Sequence, residues 1–126
     1  MLGDYPIGAM IPATDMARAK EFYADTLGLK VISEAPEGIE FESGGIRFDV
    51  YPTRASAGSG ATVAGWLVKD LEAEMDDLRS RGIKFDEYDL PDFKTVKGIA
   101  QIEGFRGGWF KDSEGNVLAV VQDMRS

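Results

Sequence analysis

A chain of 126 residues with 14 basic and 22 acidic side chains suits one domain, and its net charge of −8 disfavours binding to nucleic-acid phosphates. It has no cysteine and no histidine, so it can form no disulfide, no thiolate nucleophile and no imidazole-based catalytic triad. Because we also find no signal-peptide pattern and no apolar run of membrane-spanning length, we expect a cytoplasmic protein with no membrane partner.

The sequence contains one internal repeat, in which a helix is followed by a turn and a strand. Each copy begins with an aspartate that can cap the helix and ends with a glycine suited to a left-handed turn. These residues are Asp15 and Gly28 in the first copy, and Asp70 and Gly82 in the second. The apolar residues between them recur at helical spacing, which predicts one buried stripe on each helix.

Strands are predicted before and after each helix, so each copy of the repeat is interpreted as a βαβββ module. The predicted strands are residues 7–13, 30–33, 39–42 and 46–51 in the first module, and 62–68, 83–87, 108–111 and 117–122 in the second. Module one is expected at about 5–54, a Gly/Ser/Ala-rich linker at 55–61, and module two at 62–123. An insertion at 88–105 is predicted to be a loop of the kind that forms lids or binding loops.

Neither sheet can bury the face opposite its helix alone, and this determines the predicted architecture. We expect a single α+β domain in which the two modules form an open eight-stranded trough around a cavity, with the helices outside.

Two motifs carry a family resemblance. The first helix ends in Phe22-Tyr23 and Leu27-Gly28, and the last hairpin, residues 109–116, reads WFKDSEGN. Together they resemble the glyoxalase/bleomycin-resistance/extradiol-dioxygenase family, also called the vicinal oxygen chelate superfamily. The resemblance extends over about residues 6–122. It implies paired βαβββ modules, commonly assembled as a homodimer with a shared cavity.

Enzymes of that family hold a divalent metal with His, Gln or Glu side chains, and the resemblance places the four ligand positions on this chain. They fall on Gly8, Asp49, Val63 and Ala119. Only Asp49 has a donor atom, and one carboxylate does not hold a transition metal tightly. We therefore expect no metal, no cofactor and no catalytic residues of the metal-assisted kind.

Strand alternation assigns side chains to the expected trough, whose lining is mostly small and apolar and suits a flat, partly apolar small molecule. The candidate ligand-binding residues are Met10, Arg47, Asp49, Tyr51, Leu67, Trp109 and Val121. Trp66 is expected under the helix, whereas Trp109 points the other way and can stack on a ligand. We expect Tyr88 and Phe93 of the insertion to fold over the cavity mouth.

Structural roles compete with these assignments. Trp109 can be a core residue, and Arg47 and Asp49 can neutralise each other on one face of a strand. The function we favour is a glyoxalase/bleomycin-resistance-like protein that binds or sequesters a small, partly aromatic or cationic molecule without a metal. One alternative is a divalent-metal-dependent lyase or dioxygenase of the same superfamily. Another is a protein-interaction module whose cavity is filled by its own side chains.

Overall fold

Each copy of the repeat forms a sheet of its own with one helix packed against it. The structure is a computed structural model that describes residues 1–53 and 57–125. The chain divides after Ala57 into two compact units. Residues 55 and 56 of the predicted linker lie outside the described residues.

Module one is a four-stranded sheet with the order β1-β4-β3-β2, in which β1 and β4 are parallel. Its strands are β1 (Met10–Ala13), β2 (Lys30–Ala35), β3 (Gly38–Ser43) and β4 (Ile46–Pro52). Helix α1 (Met16–Lys20) continues as a π-helical segment, Glu21–Thr26, and a short 3₁₀ turn, Leu2–Asp4, precedes the sheet. The first strand was predicted from residue 7, but it begins at Met10.

Module two is a six-stranded sheet with the order β5-β10-β9-β8-β7-β6, with α2 (Leu71–Ser80) against β9 and β10. Its strands are β5 (Thr62–Val68), β6 (Asp89–Leu90), β7 (Phe93–Val96), β8 (Ile99–Ile102), β9 (Phe105–Lys111) and β10 (Val117–Asp123). Strands β5 and β10 are parallel, as β1 and β4 are in module one.

The predicted α+β class with open sheets is confirmed, but two predictions about module two are wrong. Residues 83–87 do not form a strand, since only Phe85 makes an isolated bridge, to Phe110. The insertion at 88–105 is not a loop, because it folds into β6, β7 and β8 and extends the sheet at its β9 edge. The sheets therefore hold four and six strands instead of eight in total.

The helix ends follow the predicted chemistry. Asp15 accepts a hydrogen bond from the backbone N–H of Arg18 at 3.0 Å, and Asp70 accepts one from Ala73 at 3.1 Å. Gly28 and Gly82 follow the helices with φ of 73° and 90°, where a side chain would be strained. Both capping predictions are confirmed.

One face of each sheet is buried under its helix and is rich in aromatic rings. In module one, Tyr23 of the π-helical segment lies 5.6 Å from Phe41 and 5.9 Å from Phe48, measured between ring centroids. In module two, Phe110 lies 6.3 Å from Trp66 and 5.5 Å from Phe85. Each helix thus covers one face and leaves the other without a helix. No helix in the described part of the chain is long and apolar enough to span a bilayer.

Candidate functional site

Trp109 lies on the face of the module-two sheet that α2 does not cover. Its strand neighbour Phe110 is fully buried on the α2 side, so alternation along β9 turns Trp109 to the other face. Across the ladder Trp109 is paired with Ala119 of β10. This arrangement agrees with the prediction that Trp66 lies under the helix and Trp109 points the other way, because Trp66 stacks on Phe110.

Small neighbours make room for the indole of Trp109 on this face. A Cβ added at Gly107 would lie 3.2 Å from Cη2 of Trp109, so the indole extends over the bare backbone of that residue. A larger residue at position 107 would displace the ring. The glycine therefore shapes this face, and the position of Trp109 depends on it.

Two rings from the insertion pack against Trp109. Phe93 lies 5.2 Å from it and Tyr88 6.3 Å, with interplanar angles of 72° and 89°. Tyr88 and Phe93 are themselves 5.3 Å apart. These are edge-to-face contacts of the kind that aromatic pairs prefer. The expectation that these two residues fold over a ligand site rested only on the length of the insertion.

Hydrogen bonds at the base of the insertion hold these rings in place. The backbone N–H of Tyr88 donates to Oγ1 of Thr95 at 2.8 Å, and that hydroxyl donates to Oε1 of Glu87 at 2.7 Å. The same Glu87 oxygen accepts the backbone N–H of Gly98 at 2.6 Å. One carboxylate thus connects β7 to the β7–β8 turn, and Thr95 in turn holds the backbone of Tyr88.

The three rings border a cavity of about 210 Å³, which we call the aromatic pocket. Its lining residues are Gly60, Thr62, Tyr88, Phe93, Trp109 and Val117. Drug-sized ligands usually occupy pockets of about 300–1,000 Å³, so this volume suits one or two rings or a fragment of a larger ligand. Gly60 and Thr62 were not among the predicted site residues, because Gly60 falls in the predicted linker and Thr62 at the first position of a predicted strand.

A charged pair lies close to the aromatic pocket. Nζ of Lys111 is 2.8 Å from Oδ2 of Asp86, and this hydrogen bond raises the pKa of the lysine above its ordinary value of 10.5. The Coulomb interaction with Tyr88, which lines the pocket, acts in the same direction. The ion pair is not part of the pocket lining, but Lys111 interacts with Tyr88, which is.

The other predicted residues of module two share the face of Trp109 but do not line the aromatic pocket. Leu67 and Val121 are paired across β5 and β10, and Leu67 is 74% exposed. They form an apolar continuation of the same sheet face.

The four predicted residues of module one lie together on the exposed face of its own sheet. Met10 is paired with Asp49, and Arg47 and Tyr51 share the parity of Asp49 along β4. The suggested ion pair between Arg47 and Asp49 is wrong. Arg47 instead lies 3.6 Å from Glu40 and 4.0 Å from Glu42, its neighbours on β3.

The metal positions implied by the resemblance occupy equivalent places in the two ladders. Asp49 is paired with Met10, two positions after Gly8, and Ala119 is paired with Gly65, two positions after Val63. Three of these four side chains have no oxygen, nitrogen or sulfur atom to offer a metal. Within residues 1–53 and 57–125, no group of three or more acidic side chains is arranged to hold an ion. The donor set does not fit the metal of the family's enzymes.

Comparison with family models identifies one family. The model of the Glyoxalase/Bleomycin resistance protein/Dioxygenase superfamily matches residues 8–120. A search of curated proteins gives no significant match.

Several solved structures resemble the chain over nearly its full length. A glyoxalase/bleomycin resistance protein/dioxygenase from Alicyclobacillus acidocaldarius is 21% identical, with a TM-score of 0.69 over 97% of this chain and 93% of that one. TnmS3, an antibiotic binding protein from Streptomyces sp. CB03234, is 18% identical, with a TM-score of 0.67 over 94% and 97%. A lactoylglutathione lyase from Agrobacterium tumefaciens is 20% identical, with a TM-score of 0.64 over 94% and 92%. At these identities the likeness concerns the fold alone.

Proposed function

Because the chain belongs to the Glyoxalase/Bleomycin resistance protein/Dioxygenase superfamily, we propose that it is one of the members that bind or sequester a small, partly aromatic molecule without a metal. The observation that carries this proposal is the aromatic pocket, in which Trp109 meets two rings from the insertion. Flat apolar ligands gain most of their affinity from burial against such rings.

The chemistry of the metal positions supports binding over metal-assisted catalysis. A lyase or dioxygenase that uses a metal as Lewis acid needs several donor side chains to hold it. Gly8, Val63 and Ala119 offer none. TnmS3, which is described as an antibiotic binding protein, is a structural precedent for a binding role on this fold.

The remaining predicted residues belong to the proposal as further ligand contacts. Leu67 and Val121 extend the apolar surface beside Trp109, and Met10, Arg47, Asp49 and Tyr51 offer mixed polar and apolar contacts on module one. In particular, Asp49 would favour cationic ligands by Coulomb attraction. We also propose a homodimer located in the cytoplasm, to be tested by sedimentation and by cell fractionation.

Fluorescence provides a direct test, because the chain has two tryptophans and only Trp109 lines the aromatic pocket. Trp66→Phe leaves Trp109 as the sole indole and preserves a ring against Phe110. Titration of this variant with a panel of neutral and cationic planar compounds should give a saturable change in emission. The matched variant Trp109→Phe should lose that change and raise the calorimetric Kd by about tenfold or more, as expected for a central aromatic contact.

The outcomes separate the proposal from its alternatives. No saturable signal from any compound in the panel, or an unchanged Kd in Trp109→Phe, would contradict it. Binding should also survive treatment with EDTA. If binding or turnover instead appeared only with added nickel, manganese or iron, the protein would be a metal-dependent enzyme.

A further inference from the structure

A second cavity of module two, about 290 Å³ in volume, lies beside the C-terminal end of α2. Its lining includes Arg79, Ile83, Lys84, Phe85, Glu87 and Lys97, and we call it the cationic groove. None of these residues lines the aromatic pocket. The groove is therefore a separate place on the same module, and the proposed function makes no use of it.

The turn at the edge of the groove has an unfavourable residue in it. Lys97 and Gly98 connect β7 to β8, and Val96 is paired with Ile99, so the hairpin has a two-residue loop. Both loop residues have positive φ, 55° for Lys97 and 80° for Gly98. Such turns favour Asn, Asp or Gly at the first position. In the described part of the chain, Lys97 is the one residue other than glycine with positive φ.

The backbone of this turn is held firmly against the groove. Nη2 of Arg79 donates to the carbonyl oxygen of Lys97 at 2.8 Å, and the N–H of Gly98 donates to Glu87. Arg79 also lies over the ring of Phe85, 5.1 Å from its centroid. A side chain at position 98 would press on Phe85 and Arg79. The conformation that strains Lys97 is thus imposed by its surroundings, and strain of this kind is typical of functional positions.

The charges around the groove differ from those of the rest of the chain. Lys84 and Lys97 take part in no ion pair with the residues that the structure describes, although the chain as a whole carries a net charge of −8. The lining carries three cations, Arg79, Lys84 and Lys97, against one acidic residue, Glu87, whose Oε1 accepts hydrogen bonds from Thr95 and Gly98. Arg79 is itself paired with Asp76 at 3.4 Å, so the excess positive charge comes from Lys84 and Lys97. Exposed charges farther away than about 8 Å are largely screened at physiological salt, so the nearby cations dominate here.

From these observations we propose that the cationic groove binds a small organic molecule that carries a phosphate monoester. Its two negative charges match the two ammonium groups of Lys84 and Lys97. The apolar side chains of Ile83 and Phe85 line the groove, are mostly buried, and would contact the organic part. A lysine at the strained position supplies a charge that asparagine there would not.

The first test is a titration of the isotope-labelled wild-type chain, followed by amide NMR at constant ionic strength. Phenyl phosphate should give saturable shifts at residues 83–87 and at Lys97 and Gly98. Inorganic phosphate should shift the same amides more weakly, and phenol should not shift them. Equal affinity for inorganic and phenyl phosphate would show that free phosphate is the ligand, and this result, absence of saturation, or shifts confined to the aromatic pocket would overturn the proposal.

The second test uses Lys97→Asn, which removes the charge and places a favoured residue in the turn. We expect the Kd for phenyl phosphate to rise about tenfold, as for the loss of one charge-assisted contact, with an equal or higher Tm. Lys30→Asn on β2 makes the same change in net charge and should alter the Kd less than about twofold. The proposal fails if both variants weaken binding equally, or if Lys97→Asn lowers the Tm.

Discussion

The two modules have the same β-hairpin pairing but opposite chemistry on the faces that their helices leave uncovered. In module one, Asp49 on β4 is paired with Glu40 on β3. The equivalent rung of module two pairs Ala119 on β10 with Trp109 on β9. One module thus presents two carboxylates where the other presents an indole over a methyl group.

This difference distinguishes the face of the repeat that the two modules share from the face on which they differ. The neighbouring residue pair faces the helix and is apolar in both modules. Its members on β3 and β9, Phe41 and Phe110, occupy equivalent positions and are both fully buried. Like charges directly opposite each other destabilise a sheet, and in module one Arg47 offsets the repulsion by lying 3.6 Å from Glu40. The helix-covered face therefore maintains the fold, while the face without a helix is the one on which the two modules differ.

The largest expected effect tests the shared face. Phe41→Ala and Phe110→Ala each remove a ring that is 0% exposed and in contact with other rings. We expect each to lower the free energy of unfolding by about 3–5 kcal/mol, as for other buried phenylalanines. Urea denaturation followed by circular dichroism measures this, with the milder Phe110→Leu as a control. A loss below about 1 kcal/mol at either position would mean that the two cores are not equivalent.

Much of the fold could be predicted because its signals are local. The helix-capping aspartates and the glycines after each helix are short-range features, and the duplication gave each of them an independent second instance. The insertion was different. Its strands pair as consecutive short hairpins, such as Asp89 with Lys94 and Thr95 with Ala100. They hold only two to four residues each, which is too short for hydrophobic alternation to reveal them.

The candidate site was predictable only in part, because the sequence does not give the order of the strands. Alternation along β9 was enough to turn Trp109 away from the helix, and the same rule grouped Leu67 with Val121. It did not reveal that Arg47 would approach Glu40 and Glu42, since that choice depends on which strand lies beside β4. The face on which a side chain lies follows from the sequence of its strand. Its neighbours on adjacent strands can be predicted only when the strand order is known.

An intermediate effect is expected from the second difference between the modules, their β-hairpin turns. The turn of module one is Gly44-Gly45, whereas that of module two contains the buried Asn116. Asn116 accepts the N–H of Gly58 at 3.1 Å and donates Nδ2 to Asp112 at 2.8 Å. Asn116→Ala should therefore cost about 1–3 kcal/mol in urea denaturation, because it leaves buried polar groups with fewer partners.

A matched control is available in the turn of module one. Gly44 has φ of 58°, which asparagine tolerates at the first position of such a two-residue turn. Gly44→Asn should change stability by no more than about 0.5 kcal/mol, as a surface substitution does. Equal losses in both variants would indicate that the buried hydrogen bonds of Asn116 contribute nothing specific.

The smallest expected effect concerns the residue pair two positions closer to the hairpin turn. In module one this pair is Glu42 and Arg47, and in module two it is Lys111 and Val117. Val117 offers Lys111 no charge, and Lys111 instead pairs with Asp86, which lies outside the β9–β10 ladder. This hydrogen bond raises the pKa of Lys111. A raised pKa means that the stabilisation is present below the unfolded value of 10.5 and is lost as the pH rises through the folded value. Since Lys111 is 55% exposed, the stabilisation is at most about 1 kcal/mol. Asp86→Asn should lower the pKa of Lys111 in a carbon-detected NMR titration, whereas Asp77→Asn, which removes the partner of Arg81, should leave it unchanged.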